Sequence, residues 1–197
     1  MSYEEPSGYY IVRVTPHESH EHGACFKVER TLDGKPHCID RAAVTIESIA
    51  TGKIVEEKYY VNGQLHRKDG PAERSFSVTG VVEMECWYLN GEEHREDGPD
   101  TVFRHPETGK ILSEGWALNG KTHRVDGPAY ISIDYETGVV VEEDWMQHGE
   151  YFRADGGPAC ITRDPITGEV THEAYWEEIE RHKPGNAPDL SDSDPSQ

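Results

Sequence analysis

Three histidines each precede an aspartate by three residues: His66 and Asp69, His94 and Asp97, His123 and Asp126. Imidazole and carboxylate are both metal donors, so each pair reads first as part of a metal rung. A zinc site draws on three or four converging ligands, and one His with one Asp supplies only two. In the fourth copy the His is replaced by Phe152, which substitutes for a packed imidazole but not for a ligand. The histidines are therefore expected to pack against an aromatic ladder of Tyr59, Trp87, Trp116 and Trp145, and no metal or other cofactor is expected. The aspartates, with Asp40 and Asp155, precede glycine-containing turns or their remnant. There a carboxylate is expected to accept from a backbone N–H two residues on. His17, His20 and His22 form a separate cluster, but no matching ligand group follows at zinc-site spacing.

A second set of charges recurs with the aromatics. Glu57, Glu85, Glu114 and Glu143 each lie two residues before an aromatic, and Arg67, Arg95, Arg124 and Arg153 follow it. Glu173 continues the acidic series. An earlier, degenerate copy has Val28 in place of the Glu and Cys38 in place of the Arg. Joint loss suggests partnership: Glu57 with Arg67, Glu85 with Arg95, Glu114 with Arg124, Glu143 with Arg153. The bidentate fit of guanidinium to carboxylate explains Arg rather than Lys. These eight residues are the candidate binding set. There is no GxSxG, no phosphate-binding glycine loop and no HExxH, so no enzyme is expected.

These residues are positioned by a repeat. Aromatic, two residues, Asn-Gly, two residues, His-Arg, one residue, Asp-Gly-Pro runs over Tyr59–Ala72, Trp87–Pro99 and Trp116–Ala129, and in altered form over Trp145–Ala159. The glycines Gly34, Gly63, Gly91, Gly120 and Gly149 step by 28 or 29 residues, and another Gly lies seven residues before each aromatic. Arrays of this period read as stacked supersecondary units. Runs such as VVEMECWYL (81–89) alternate with period two and are rich in β-branched and aromatic residues, as strands are. Thr-Gly at Gly52, Gly80, Gly109, Gly138 and Gly168 marks one turn and Asn-Gly at Gly63, Gly91 and Gly120 the other, Asn and Gly both tolerating positive φ. The expected fold is all-β: tandem β-hairpin repeats of ~29 residues in a meandering or solenoid-like twisted sheet. Helix is expected only within residues 172–182, as an alternative to a last strand and its exit.

The expected organisation is an N-terminal cap strand and acidic, His-rich loop (1–22), five and a half repeats (23–176) and an acidic, largely disordered tail (177–197). The 197 residues carry a formal charge of −19. The tail holds six acids against Arg181 and Lys183, so most of the charge belongs to the repeats. Such a field repels nucleic acid and anionic membrane and attracts basic surfaces, although acidity also serves plain solubility. No long apolar run is present, and the N-terminus has no signal-peptide pattern. Cys25, Cys38, Cys86 and Cys160 lack CxxC spacing and read as reduced thiols, so a cytoplasmic location is expected.

The phrase WxxNGxxHRxDGPA resembles tandem repeats of proteins encoded by bacteriophages and large DNA viruses and, more loosely, MORN-type repeats. The resemblance covers roughly residues 23–176. It implies short β-hairpin units, a non-enzymatic scaffold or binding role and a viral or prophage origin, with no catalytic residue to carry over. Two functions follow as expectations. One is an accessory protein that binds and blocks a basic host protein, such as a nucleic-acid-binding or defence factor. The other is a sponge for a small nucleotide signal, using the Arg and aromatic ladder.

Overall fold

A computed structural model describes residues 10–181. Twelve strands form one open antiparallel meander in which each pairs with the next in the chain. It opens with β1 (Tyr10–Ser19) and β2 (Gly23–Leu32), which pair along their whole length. Five hairpins follow, the first built from Val44–Ser48 and Ile54–Lys58 and the last from Cys160–Arg163 and Val170–Ala174. All five break register at the same place, before the Thr-Gly turn, as at Ile46/Glu47 and Thr162/Arg163. A bulge here bends each hairpin and increases its twist. The meander is thus the realised form of the expected repeat sheet. The stretch expected to hold either strand or helix holds both, because the last strand runs directly into the helix Trp176–Arg181. Most of the acidic tail lies outside the described residues.

A second tier sits beside the sheet. After each aromatic the chain makes a two-residue-stranded hairpin, such as Tyr60–Val61 with Gln64–Leu65. Its Asn-Gly corner has positive φ at both residues, 53° and 84° at Asn62 and Gly63. That geometry matches the right-handed strand twist, and it is why Asn and Gly recur there. His148 takes the same conformation, with φ of 56°.

Core side chains are few and small. Ala43, Ala72, Ala129 and Ala159, at the end of each Asp-Gly-Pro-Ala phrase or its degenerate equivalent, are fully enclosed where the two tiers meet. Each accepts the amide of its own unit's aromatic position, as Trp116 N–H does to Ala129 O at 2.8 Å. Cys25, Ile46 and Val55 form a buried apolar cluster at the N-terminal end. No helix among the described residues is long and apolar enough to cross a membrane.

Candidate functional site

The arginine of each His-Arg lies flat on the aromatic of its own unit. Arg67 over Tyr59, Arg95 over Trp87, Arg124 over Trp116 and Arg153 over Trp145 all sit 4.0 Å from the ring centroid. The guanidinium then donates from Nη1 to a proline carbonyl: Pro71 at 3.2 Å, Pro99 at 3.0 Å, Pro128 at 3.3 Å and Pro158 at 3.2 Å. On its other side stands the glycine of the Gly-Pro step. A Cβ added to Gly127 would meet Arg124 Cζ at 2.8 Å, and one on Gly98 would meet Arg95 Cζ at 3.0 Å. The glycine is therefore selected by close approach, which lets ring, guanidinium and backbone stack in three layers.

The aspartates close the fourth side. Arg95 Nε lies 2.8 Å from Asp97, Arg124 Nε 3.0 Å from Asp126 and Arg153 Nε 2.9 Å from Asp155. Hydrogen bonds from Arg95 and Arg124 hold Asp97 and Asp126 below the usual carboxylate range. For Asp155 the Gly157 N–H comes first and Arg153 second. The expected carboxylate-to-backbone turn bond is thus formed at Asp155, whose Oδ1 accepts from Gly157 N–H at 2.9 Å. At Asp97 and Asp126 the carboxylate goes to the arginine instead, because Nε projects over the turn from two residues upstream. Asp69 makes no such contact with Arg67 among the described residues.

The glutamates do not pair with these arginines. Glu57 pairs with Arg74 at 2.6 Å, Glu85 with Arg104 at 2.7 Å and Glu143 with Arg163 at 2.8 Å. These partners lie on the next main-sheet strand. Arg74 is directly opposite Glu57, while Arg104 and Arg163 are two residues beyond the residues facing Glu85 and Glu143. The residue two beyond Ile131, which faces Glu114, is Ile133, and Glu114 forms no ion pair among the described residues. None of the expected Glu57–Arg67, Glu85–Arg95, Glu114–Arg124 and Glu143–Arg153 pairs forms, and three of these glutamates pair with other arginines instead. Cation–π stacking and a carbonyl already engage each His-Arg guanidinium, with the nearby Asp added at Arg95, Arg124 and Arg153. Glu143 also accepts from Trp145 Nε1 at 3.3 Å, so Glu and aromatic do share a face.

The histidines do not stack on the aromatics either. His37, His66, His94 and His123 each accept at Nδ1 from the backbone N–H of the corner residue in the next unit. The distances are 2.9 Å from Asn62, 3.1 Å from Asn90, 3.2 Å from Asn119 and 3.1 Å from His148. Two further bonds repeat beside it. Gly91 N–H donates to Leu65 O and Arg67 N–H to Tyr88 O, with equivalents at every step. Each small hairpin is therefore fastened to the next by three hydrogen bonds. Phe152 occupies the His position in the last complete unit, where no further corner follows and the chain turns instead into Trp176–Arg181. Nor do the ladder aromatics stack on one another. Each is half-buried, with its arginine rather than another ladder ring on its face.

Between successive units run open grooves of about 370, 650 and 410 Å³, centred on Tyr59, Trp87 and Trp116. Their walls carry the stacked arginines, while Glu96, Asp97 and Asp126 point into solvent at 86%, 85% and 83% exposure. Among the described residues no group of three or more His, Cys, Asp and Glu side chains could hold a metal ion. The four thiols are free, and burial pushes Cys86 and Cys160 up to about 11. No protein-family model, no curated protein and no solved structure matches the chain.

Proposed function

We propose that this chain is a non-enzymatic interaction module whose acidic, repeated surface binds a basic protein. The phrase-level likeness to viral repeats suggests a phage-encoded accessory role, with a nucleic-acid-binding or defence protein of the host cytoplasm as the target. One observation carries the reading: every guanidinium of the ladder is engaged by ring and carbonyl, while the neighbouring acids stand in water. Cationic donors are thereby withdrawn into structure and negative charge is left outward. Complementary charge of this kind steers encounter and sets specificity. A nucleotide sponge would need the opposite arrangement, with arginines open to phosphate.

The test is capture of partners from a bacterial lysate at low and at high salt, repeated with the variant Glu92→Lys/Glu96→Lys/Glu107→Lys. These three acids are exposed. A basic protein retained at low salt, released at high salt and absent from the charge-reversed bait is expected. Equal retention by both baits would defeat the acidic-surface reading, and a thermal shift with cyclic nucleotides in its place would favour the sponge.

A further inference from the structure

Three departures from the repeat coincide in one place. The residue before the aromatic is Lys58, Cys86 and Asp144 in other units but Gly115 before Trp116. The residue after it is Tyr60, Tyr88 and Met146 elsewhere but Ala117 here. The enclosed alanine, seen at Ala43, Ala72, Ala129 and Ala159, is Asp100, which is only 2% exposed. Two side chains have been deleted and a carboxylate has been added to the wall.

Gly115 is not required by the backbone. Its φ lies outside the left-handed region, and an added Cβ would meet Thr101 Cβ at 3.8 Å, an ordinary contact. What the glycine provides is space. The result is a cleft of about 300 Å³ between the sheet and the small hairpins. Its polar wall includes Asp100, Asp144 and Glu93, and its apolar wall Trp116, Tyr130 and Met146. Thr101 Oγ1 donates to Asp100 Oδ2 at 2.9 Å, while the Asp144 carboxylate is met by Cys160 and Tyr151 and leaves Oδ1 as a buried oxygen without a donor.

The chain itself shows what fits such a place. Two units earlier the Gly115 position holds Lys58, whose Nζ lies 2.6 Å from Glu56 and 3.0 Å from Glu73. Burial opposes the charge on Lys58, but its bonds to Glu56 and Glu73 outweigh that and raise its pKa. Tyr60, at the Ala117 position, lies within the field of these same charges and is itself half-buried. An ammonium and an aromatic side chain thus stand at the equivalent positions. We propose that the Gly115 cleft binds a primary ammonium carried on a short apolar chain or ring, taking the place that Lys58 and Tyr60 occupy in their own unit. Aromatic walls with fixed carboxylates suit an organic cation, which keeps its charge and buries its carbon skeleton. The ammonium can come from a free amine or from a lysine of a protein, and the site stands whether or not the exposed acids bind a basic partner.

The probe is 2-phenylethylamine, titrated into the full chain while the amide resonances of Gly115 and Ala117 are followed by NMR. Saturable shifts at these amides are expected, with none from 2-phenylethanol, which has the same skeleton without the charge. Asp100→Ala restores the residue of the other units and should keep the fold while weakening binding at least about tenfold. Gly115→Lys should fill the cleft from within and abolish binding, with an unchanged circular dichroism spectrum. No saturation by the amine, equal binding of the alcohol, or unchanged affinity in both variants would each overturn the proposal. N-acetyl-lysine amide, with its ε-acetylated form as control, separates the sources. Displacement of the amine by the first alone places protein lysines among the ligands, and no displacement by either restricts the cleft to small amines.

Discussion

In the first unit Arg30 stands where later units carry Tyr59, Trp87, Trp116 and Trp145, and Cys38 stands where they carry an arginine. Yet the carbonyl before the enclosed alanine is met in both cases by a guanidinium. Arg30 Nη1 donates to Ala42 O at 3.0 Å, as Arg124 Nη1 does to Pro128 O at 3.3 Å. The donor is conserved in space while its position in the chain moves by one turn of the small hairpin. The surroundings explain why the ring can be dispensed with at one end. The first unit lies beside the cluster of Cys25, Ile46 and Val55, which buries apolar surface by itself. Among the described residues no such cluster recurs in the later units, and there the layered ring, guanidinium and glycine supply the packing. Joint loss of Glu and Arg in the first unit therefore reflects relocation of one guanidinium, not loss of an ion pair.

The comparison is broken most directly by removing the layers. Trp116→Ala should cost about 2–3 kcal/mol in denaturant unfolding, below the full cost of a core Trp because the ring is half-buried. Arg30→Ala in the first unit should cost about 1 kcal/mol, the worth of its hydrogen bond. Equal losses at the two ends would mean that the aromatic layer adds nothing. The histidine contacts distinguish interior from end in the same way. His94→Phe leaves Asn119 N–H without its acceptor and should cost about 1–2 kcal/mol, whereas Phe152→His should change stability by less than about 0.5 kcal/mol. A similar loss at both positions would show that imidazole serves packing instead.

Asp100 separates the third unit from its neighbours by pH. Burial pushes its pKa up to about 6, above the value near 3.9 of an unfolded chain. The folded state then holds the proton more tightly between those values, so its stability falls as pH rises from about 4 to 6. Asp100→Ala should accordingly raise the melting temperature at pH 8, by the equivalent of about 1–2 kcal/mol after allowance for screening, and the gain should vanish towards pH 4. A gain that is constant with pH would assign it to packing alone. The smallest effect concerns the glutamates. A double-mutant cycle should give about 0.5–1 kcal/mol of coupling between Glu143 and Arg163 and none between Glu143 and Arg153. The reverse pattern would restore pairing within the phrase.

The sequence alone determined the all-β repeat, the unit length and both turns, because Gly and Asn mark positive φ and alternation marks strands wherever they occur. It also located the residues of the ladder. It did not determine their partners. Arg74, Arg104 and Arg163 lie outside the repeated phrase and at unequal offsets from their glutamates, so no comparison of units points to them. The histidines meet a backbone N–H some 25 residues away, a partner with no side-chain signature. Asp100, Gly115 and Ala117 read singly as erosion of the pattern. Only strand register and the stacking of the hairpins bring all three to one cleft, since contacts across a sheet depend on the pairing of strands and not on spacing along the chain.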